Sequence, residues 1–125
     1  MGIFKERERC CEATFRDGGP YWHAYTSGKE TPLLFAREED LVFVMNVVAQ
    51  AAALFPEVRI IAFEVMDNHF HFVVSADEKA VLAFWGFVRK RLARSFPLMK
   101  GLQIALKPIG DLGALRNNIV YTNRN

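Results

Sequence analysis

The sequence predicts an α+β domain on the ferredoxin-like, split βαβ plan. Its expected order is β-α-β-β-α-β, with an antiparallel sheet, both helices on one face and a closing C-terminal helix. Three observations lead there. Residues 37–54 and 77–96 repeat apolar side chains at three- and four-residue steps, the signature of helices with one buried stripe. Residues 21–26, 58–65, 69–75 and 103–107 are short runs rich in β-branched, aromatic or apolar residues. Turn formers separate these windows, and 125 residues is the length of one domain.

Each element has a local reason. Residues 1–20 are dense in charge and end in Asp17-Gly18-Gly19-Pro20, which reads as a flexible arm closed by a turn before a domain spanning 21–125. Tyr21-Trp22-His23-Ala24-Tyr25-Thr26 suits a strand, and residues 27–36 read as turn and loop around Gly28 and Pro32. The first helix opens with Glu38, Glu39 and Asp40, whose charges complement the positive end of its dipole. Leu41, Val44, Met45, Val48 and Ala52 form its stripe, and Pro56 ends it. Met66-Asp67-Asn68 joins two strands into a hairpin. Asp77 is the expected cap of the second helix, with Val81, Trp85, Val88 and Leu92 as its stripe and Pro97 as its stop. Pro108, Gly110 and Gly113 mark a loop before a last helix over 114–125, where Leu115, Ile119 and Val120 are apolar.

Composition narrows the function. Sixteen basic residues against fourteen acidic ones give a net charge of +2, so any nucleic-acid contact needs a local patch. Residues 41–56 form the longest stretch without charge, short of the ~20 residues of a spanning helix. The N-terminus holds no apolar core of signal-peptide length, and the expectation is a cytoplasmic protein. Cys10 and Cys11 are adjacent and stand without the spacing of a zinc site, so they read as thiols.

The sharpest chemical feature is His69-Phe70-His71 on a strand. Side chains alternate across a strand, so the two imidazoles share a face, about 7 Å apart at their alpha carbons, and can converge on one metal ion. Phe70, Phe72 and Val74 then turn to the helix-covered core. The alternative for the pair is plain solvation on an open sheet face. Tyr121 and Asn125 lie four apart on the last helix and so face one point together. Arg89, Lys90, Arg91 and Arg94 crowd the end of the second helix, either as a phosphate-binding patch or as a solvated end that complements the helix dipole.

Met66-Asp67-Asn68-His69-Phe70-His71 and Tyr121-Thr122-Asn123-Arg124-Asn125 together resemble the HUH single-tyrosine transposases, especially the REP-associated tyrosine transposases. The family hairpin reads Met-Pro-Asn-His-hydrophobic-His, so Asp67 stands where proline is usual. Its catalytic helix reads Tyr-hydrophobic-x-x-Asn-Pro, and this sequence stops before the proline, as a truncated copy would. Tyr21 to Tyr25 and Phe35 to Asp40 resemble the family's first strand and the start of its first helix. The resemblance implies cleavage and joining of single-stranded DNA in transposition, with Tyr121 as the nucleophile of a 5′-phosphotyrosine intermediate. It implies Mg²⁺ or Mn²⁺ held by His69, His71 and Asn125, with Glu64 and Asp67 as alternative third ligands. It also implies a homodimer, in which Tyr121 acts within its own subunit or on the partner's histidines. The implied DNA is single-stranded or hairpin DNA, gripped by Arg89, Lys90, Arg91 and Arg94. A catalytically silent relative that only binds such DNA is the competing expectation.

Overall fold

The computed structural model describes residues 20–27 and 33–124, so the N-terminal arm with its two cysteines, the turn after Ser27 and the candidate ligand Asn125 lie outside the described residues. Strand β1 is Tyr21–Tyr25, helix α1 Glu38–Leu54, β2 Arg59–Val65, β3 Phe70–Ser75, α2 Glu78–Ala93, β4 Ala105–Ile109 and α3 Leu112–Arg124, with a short 3₁₀ turn at Pro97–Gly101. The sheet order is β2-β3-β1-β4, and every neighbouring pair is antiparallel. Strand β3 thus lies between β1 and β2, the two strands that α1 connects, which is the split βαβ arrangement the sequence predicts. No helix among the described residues is long and apolar enough to cross a membrane.

The main core lies between the sheet and the α1/α2 layer. Phe70, Phe72 and Val74 of β3 and Ala24 of β1 meet Val44, Val47, Val48 and Ala51 of α1 and Val81, Phe84, Trp85, Val88 and Leu92 of α2. Burying a side chain of this size contributes roughly 1.5–3 kcal/mol. On α1 the buried stripe is turned from the expected one: Val47 and Ala51 are inside, whereas Met45 is 46% exposed. All four positions named for α2 are buried, and Phe84 joins them.

The opposite sheet face is not open. Helix α3 crosses it, and Leu115, Ala114 and Ile119 make a second, smaller core with Ala62, Val73, Ile109 and Tyr21. The solvated-face expectation for the histidines fails here because the apolar side of α3 packs on this face and His71 is buried beneath it.

Element ends differ from expectation for identifiable reasons. Strand β4 runs to Ile109 rather than ending at Lys107, and it includes Pro108. That is tolerated because β4 is an edge strand with one side free of the ladder. Helix α2 ends at Ala93, three residues early, where the chain turns into the 3₁₀ segment. Asp77 precedes α2 as expected, but its backbone carbonyl accepts from Val81 N–H while its side chain makes no capping bond. Helix α3 begins two residues early because the Asp111 carboxylate accepts from Ala114 N–H at 2.7 Å.

Two local devices set the position of the β2–β3 hairpin. Thr26 continues the β1 pairing past Tyr25: its N–H donates to the Phe70 carbonyl at 3.1 Å, and its hydroxyl accepts from Phe70 N–H at 2.9 Å. The Asp67 carbonyl accepts from both Leu34 N–H and Phe35 N–H, at 3.0 and 2.8 Å, so the loop before α1 holds the turn. A bulge in β2 between Ile60 and Ala62 also shifts the register against β3. Ile60 pairs Val74 but Ala62 pairs Val73, so Ile61 is the extra residue, and Glu64 comes to lie opposite His71.

Candidate active site under the C-terminal helix

The sheet register assembles a polar cluster on the α3 face. Across the sheet, Glu64 of β2, His71 of β3 and Tyr25 of β1 stand in one row, and Val73, His23 and Lys107 stand in the next. Antiparallel partners share a face, so all the polar members of these rows project to the same side. His69 precedes β3 and joins from the turn; its carbonyl closes the hairpin by accepting from Met66 N–H at 2.8 Å.

The two histidines singled out by sequence do meet. The rings of His69 and His71 lie 5.0 Å apart, centre to centre, nearly perpendicular. Tyr121 reaches His71 from α3 within the same chain, its ring 5.9 Å away and edge-on, and lies 6.4 Å from His23. Tyr121 is 53% exposed, whereas His71 is 8% exposed, so the cluster has a buried floor and an accessible rim. The chain's third histidine, His23, completes it: His23 Nε2 and His71 Nδ1 are 3.1 Å apart and share one proton. Tyr25 packs beside both, 4.9 Å from His23 and 6.3 Å from His71.

Burial, then the neighbouring His23 and His69, holds the His71 imidazole down at about 4. His23 is lowered too, by burial and then by Lys107. Both rings are therefore neutral at physiological pH, the state in which imidazole binds metal or accepts a proton. His69 Nδ1 donates to the Asn68 side-chain oxygen at 2.7 Å, which leaves the lone pair on Nε2.

The fit of this cluster to a divalent cation is partial. Among the described residues no group of three histidine, cysteine or acidic side chains is by itself arranged to hold a metal ion. The Glu64 carboxylate supports a site nonetheless. It neighbours His71 in the register, and its Oε2 is buried with no hydrogen-bond partner. A buried, unpartnered carboxylate oxygen is costly unless a cation or donor satisfies it. Asp67, the other alternative ligand, is exposed, and what the turn uses is its backbone carbonyl. Two imidazoles and one carboxylate suit an ion such as Mg²⁺ or Mn²⁺ that keeps water or phosphate oxygens in its shell.

The predicted basic patch lies on the other side of the sheet, on α2. Arg89, Lys90 and Arg94 line a groove of about 460 Å³ together with Lys100 of the 3₁₀ turn. Arg91 does not line it. Arg89 is partly committed, donating to the Lys100 carbonyl at 2.7 Å.

Sequence reasoning missed His23, Tyr25, Lys107 and Lys100. The signal for the first two was available: in Tyr21-Trp22-His23-Ala24-Tyr25 the alternation sends Trp22 and Ala24 into the main core, so His23 and Tyr25 must share the histidine face. Lys107 lay within the expected last strand, but its place opposite His23 depends on the β1–β4 register, which no local pattern states.

No family profile and no curated protein matches this sequence. Solved structures do match. The structure of a REP-associated tyrosine transposase bound to a REP hairpin superposes with a TM-score of 0.64 at 14% identity. That match covers 83% of this chain, which spans 64% of the other's length. A candidate transposase from Deinococcus radiodurans R1 superposes with a TM-score of 0.53 at 16% identity, covering 84% of this chain and 90% of that one. The chain thus has the α+β fold of the tyrosine transposases.

Proposed function

We propose that this chain cuts and rejoins single-stranded DNA as a metal-dependent tyrosine transposase. The observation that carries the reading is the meeting of Tyr121 with His71, itself against His69, in one chain at the rim of a partly buried cluster. It is supported by the shared fold with a transposase whose structure holds a REP hairpin.

The chemistry follows from the residue types. The phenol oxygen of Tyr121 attacks phosphorus and forms a new O–P bond while its proton passes to solvent. The bond from phosphorus to the 3′ oxygen breaks, and that oxygen takes up a proton. The product is a 5′-phosphotyrosine that retains the ester's free energy, so rejoining needs no ATP. A divalent ion, when bound, polarises a non-bridging phosphate oxygen. His69 and His71 would hold it, with Glu64 or Asn125 as the third protein ligand. Lys107, exposed on the same face beside His23, offers a cation to the strand entering the site. Arg89, Lys90, Arg94 and Lys100 line a groove on the far side of the sheet, so the DNA they grip must pass a sheet edge to reach Tyr121. A stem gripped at α2 with a single strand led to α3 satisfies that geometry. Cis action of Tyr121 in this reading needs no second subunit; the homodimer belongs to the proposal through β2 and β4, the edge strands of the sheet among the described residues.

The deciding experiment incubates the protein with a labelled hairpin bearing a single-stranded flank and Mn²⁺. The expected result is a denaturant-resistant protein–DNA adduct that the Tyr121→Phe variant does not form, with hairpin binding unchanged. Binding without adduct in the unaltered protein refutes the enzyme and leaves a DNA-binding module.

A further inference from the structure

We infer that His23 is a positioning residue for the metal site: its Nε2 accepts the Nδ1 proton of His71 and so leaves the His71 Nε2 lone pair for the cation. The inference rests on the reading of His69 and His71 as ligands.

The contact alone admits two proton arrangements. In one, His71 Nδ1 carries the proton and donates to His23; in the other, His23 donates and His71 carries its proton on Nε2. Only the first leaves His71 with a free nitrogen on the side away from His23. A ligating histidine ordinarily donates its second ring N–H to an acceptor that fixes ring and tautomer. The neighbouring histidine shows the same device, since His69 Nδ1 donates to the Asn68 oxygen at 2.7 Å. Both histidines are thereby held at Nδ1 by a separate partner, with Nε2 the remaining donor atom on each.

The rest of the neighbourhood holds the His23 ring in place. His23 pairs in register with Lys107, and Tyr25 and Tyr121 pack against it. The two histidine rings lie nearly parallel, 18° between planes and 5.3 Å between centres, so the contact also restrains rotation of His71. Strand pairing fixes the geometry: His23 sits opposite Val73, two residues from His71 on the same face.

Two measurements test this. The first is the nitrogen spectrum of histidine-labelled, metal-free protein, in which His71 is expected as the Nδ1–H tautomer; finding it as Nε2–H overturns the inference. The second is a calorimetric titration with Mn²⁺ alone, without DNA. The His23→Phe variant, which keeps a ring but has no acceptor, is expected to bind about 10–100-fold more weakly than the unaltered protein. His23→Gln, whose side-chain carbonyl can accept the same proton, is expected to recover most of the affinity. His23→Phe binding as tightly as the unaltered protein, while His71→Ala does not bind, overturns the role of His23 and leaves the metal site standing. Equal Mn²⁺ binding by the unaltered protein and His71→Ala removes the metal reading and this inference with it. Should His23→Phe fail to fold, the tautomer spectrum and His23→Gln still decide the matter: His23→Gln is expected to keep His71 in the Nδ1–H form and to bind Mn²⁺ nearly as tightly as the unaltered protein, and loss of Mn²⁺ binding in His23→Gln with His71 still Nδ1–H overturns the inference.

Discussion

Replacing Thr26 with valine is a small change with a calculable effect. Thr26 is 2% exposed and Phe70 is fully buried. The threonine hydroxyl is the acceptor for Phe70 N–H at 2.9 Å, at the point where the β1–β3 ladder would otherwise end. Valine keeps the shape and removes the acceptor, so a buried N–H is left without a partner. That costs roughly 1–3 kcal/mol. At about 3–5 °C per kcal/mol for a domain of this size, the melting temperature should fall by roughly 3–15 °C. Thr26→Ser, which retains the hydroxyl, should recover at least half of that. The effect is also functional, because the Phe70 backbone links the two candidate ligands, and Mn²⁺ affinity should fall in Thr26→Val but not in Thr26→Ser. Paired thermal melts and Mn²⁺ titrations check both. A valine variant that melts within about 1 °C of the unaltered protein refutes the claim that this hydroxyl clamps the hairpin.

Three further outcomes are expected. Glu64→Gln should lower Mn²⁺ affinity at least tenfold while leaving the metal-free fold as stable or more so, because it removes a buried carboxylate with an unpartnered oxygen; unchanged affinity with lost stability contradicts the assignment, read by titration and urea melts. His71 has its folded-state value lowered from the ordinary 6.5 to about 4, so the unfolded chain takes up its proton first. Its contribution to stability is therefore complete above pH 6.5 and is lost as pH falls toward 4. The loss is on the order of 1–2 kcal/mol after solvent screening, and shows as the difference between urea melts of the unaltered protein and His71→Gln across that window. Arg94→Ala and Lys100→Ala should each reduce the slope of log affinity against log salt by about 1 for hairpin DNA, without changing adduct yield at saturating DNA; unchanged slopes remove α2 from the DNA path.

The element order and the sheet plan were legible because strong periodicities and turn formers agree with one another. The His69–His71 pair was legible in part: alternation turns His71 away from Phe70 and Phe72, but His69, expected on the strand, lies just before β3 and reaches the same point from the turn. What was not legible depends on pairing. That His23 meets His71 is a consequence of the β1–β3 register, which no local pattern states. The expectation of an open sheet face failed because Leu115 and Ile119 mark a helix as amphipathic but do not say which surface it covers. Asn125, the third ligand implied by resemblance, lies outside the described residues, and the structure instead directs attention to Glu64.

The extra residue in β2 has a consequence for how such a site changes over time. With Ile61 present, the bulge is what keeps the residues after it in register with β3, and with them the acid beside His71. Removing the codon for Ile61 would leave a regular ladder with the same partners, Ala62 opposite Val73, Phe63 opposite Phe72 and Glu64 opposite His71, whereas keeping Ile61 without the bulge would set Phe63 against the imidazole and turn Glu64 toward the layer of α1 and α2. The bulge thus absorbs a one-residue insertion within the edge strand, so that chain length there can vary by one while the acid beside the candidate cluster keeps its place.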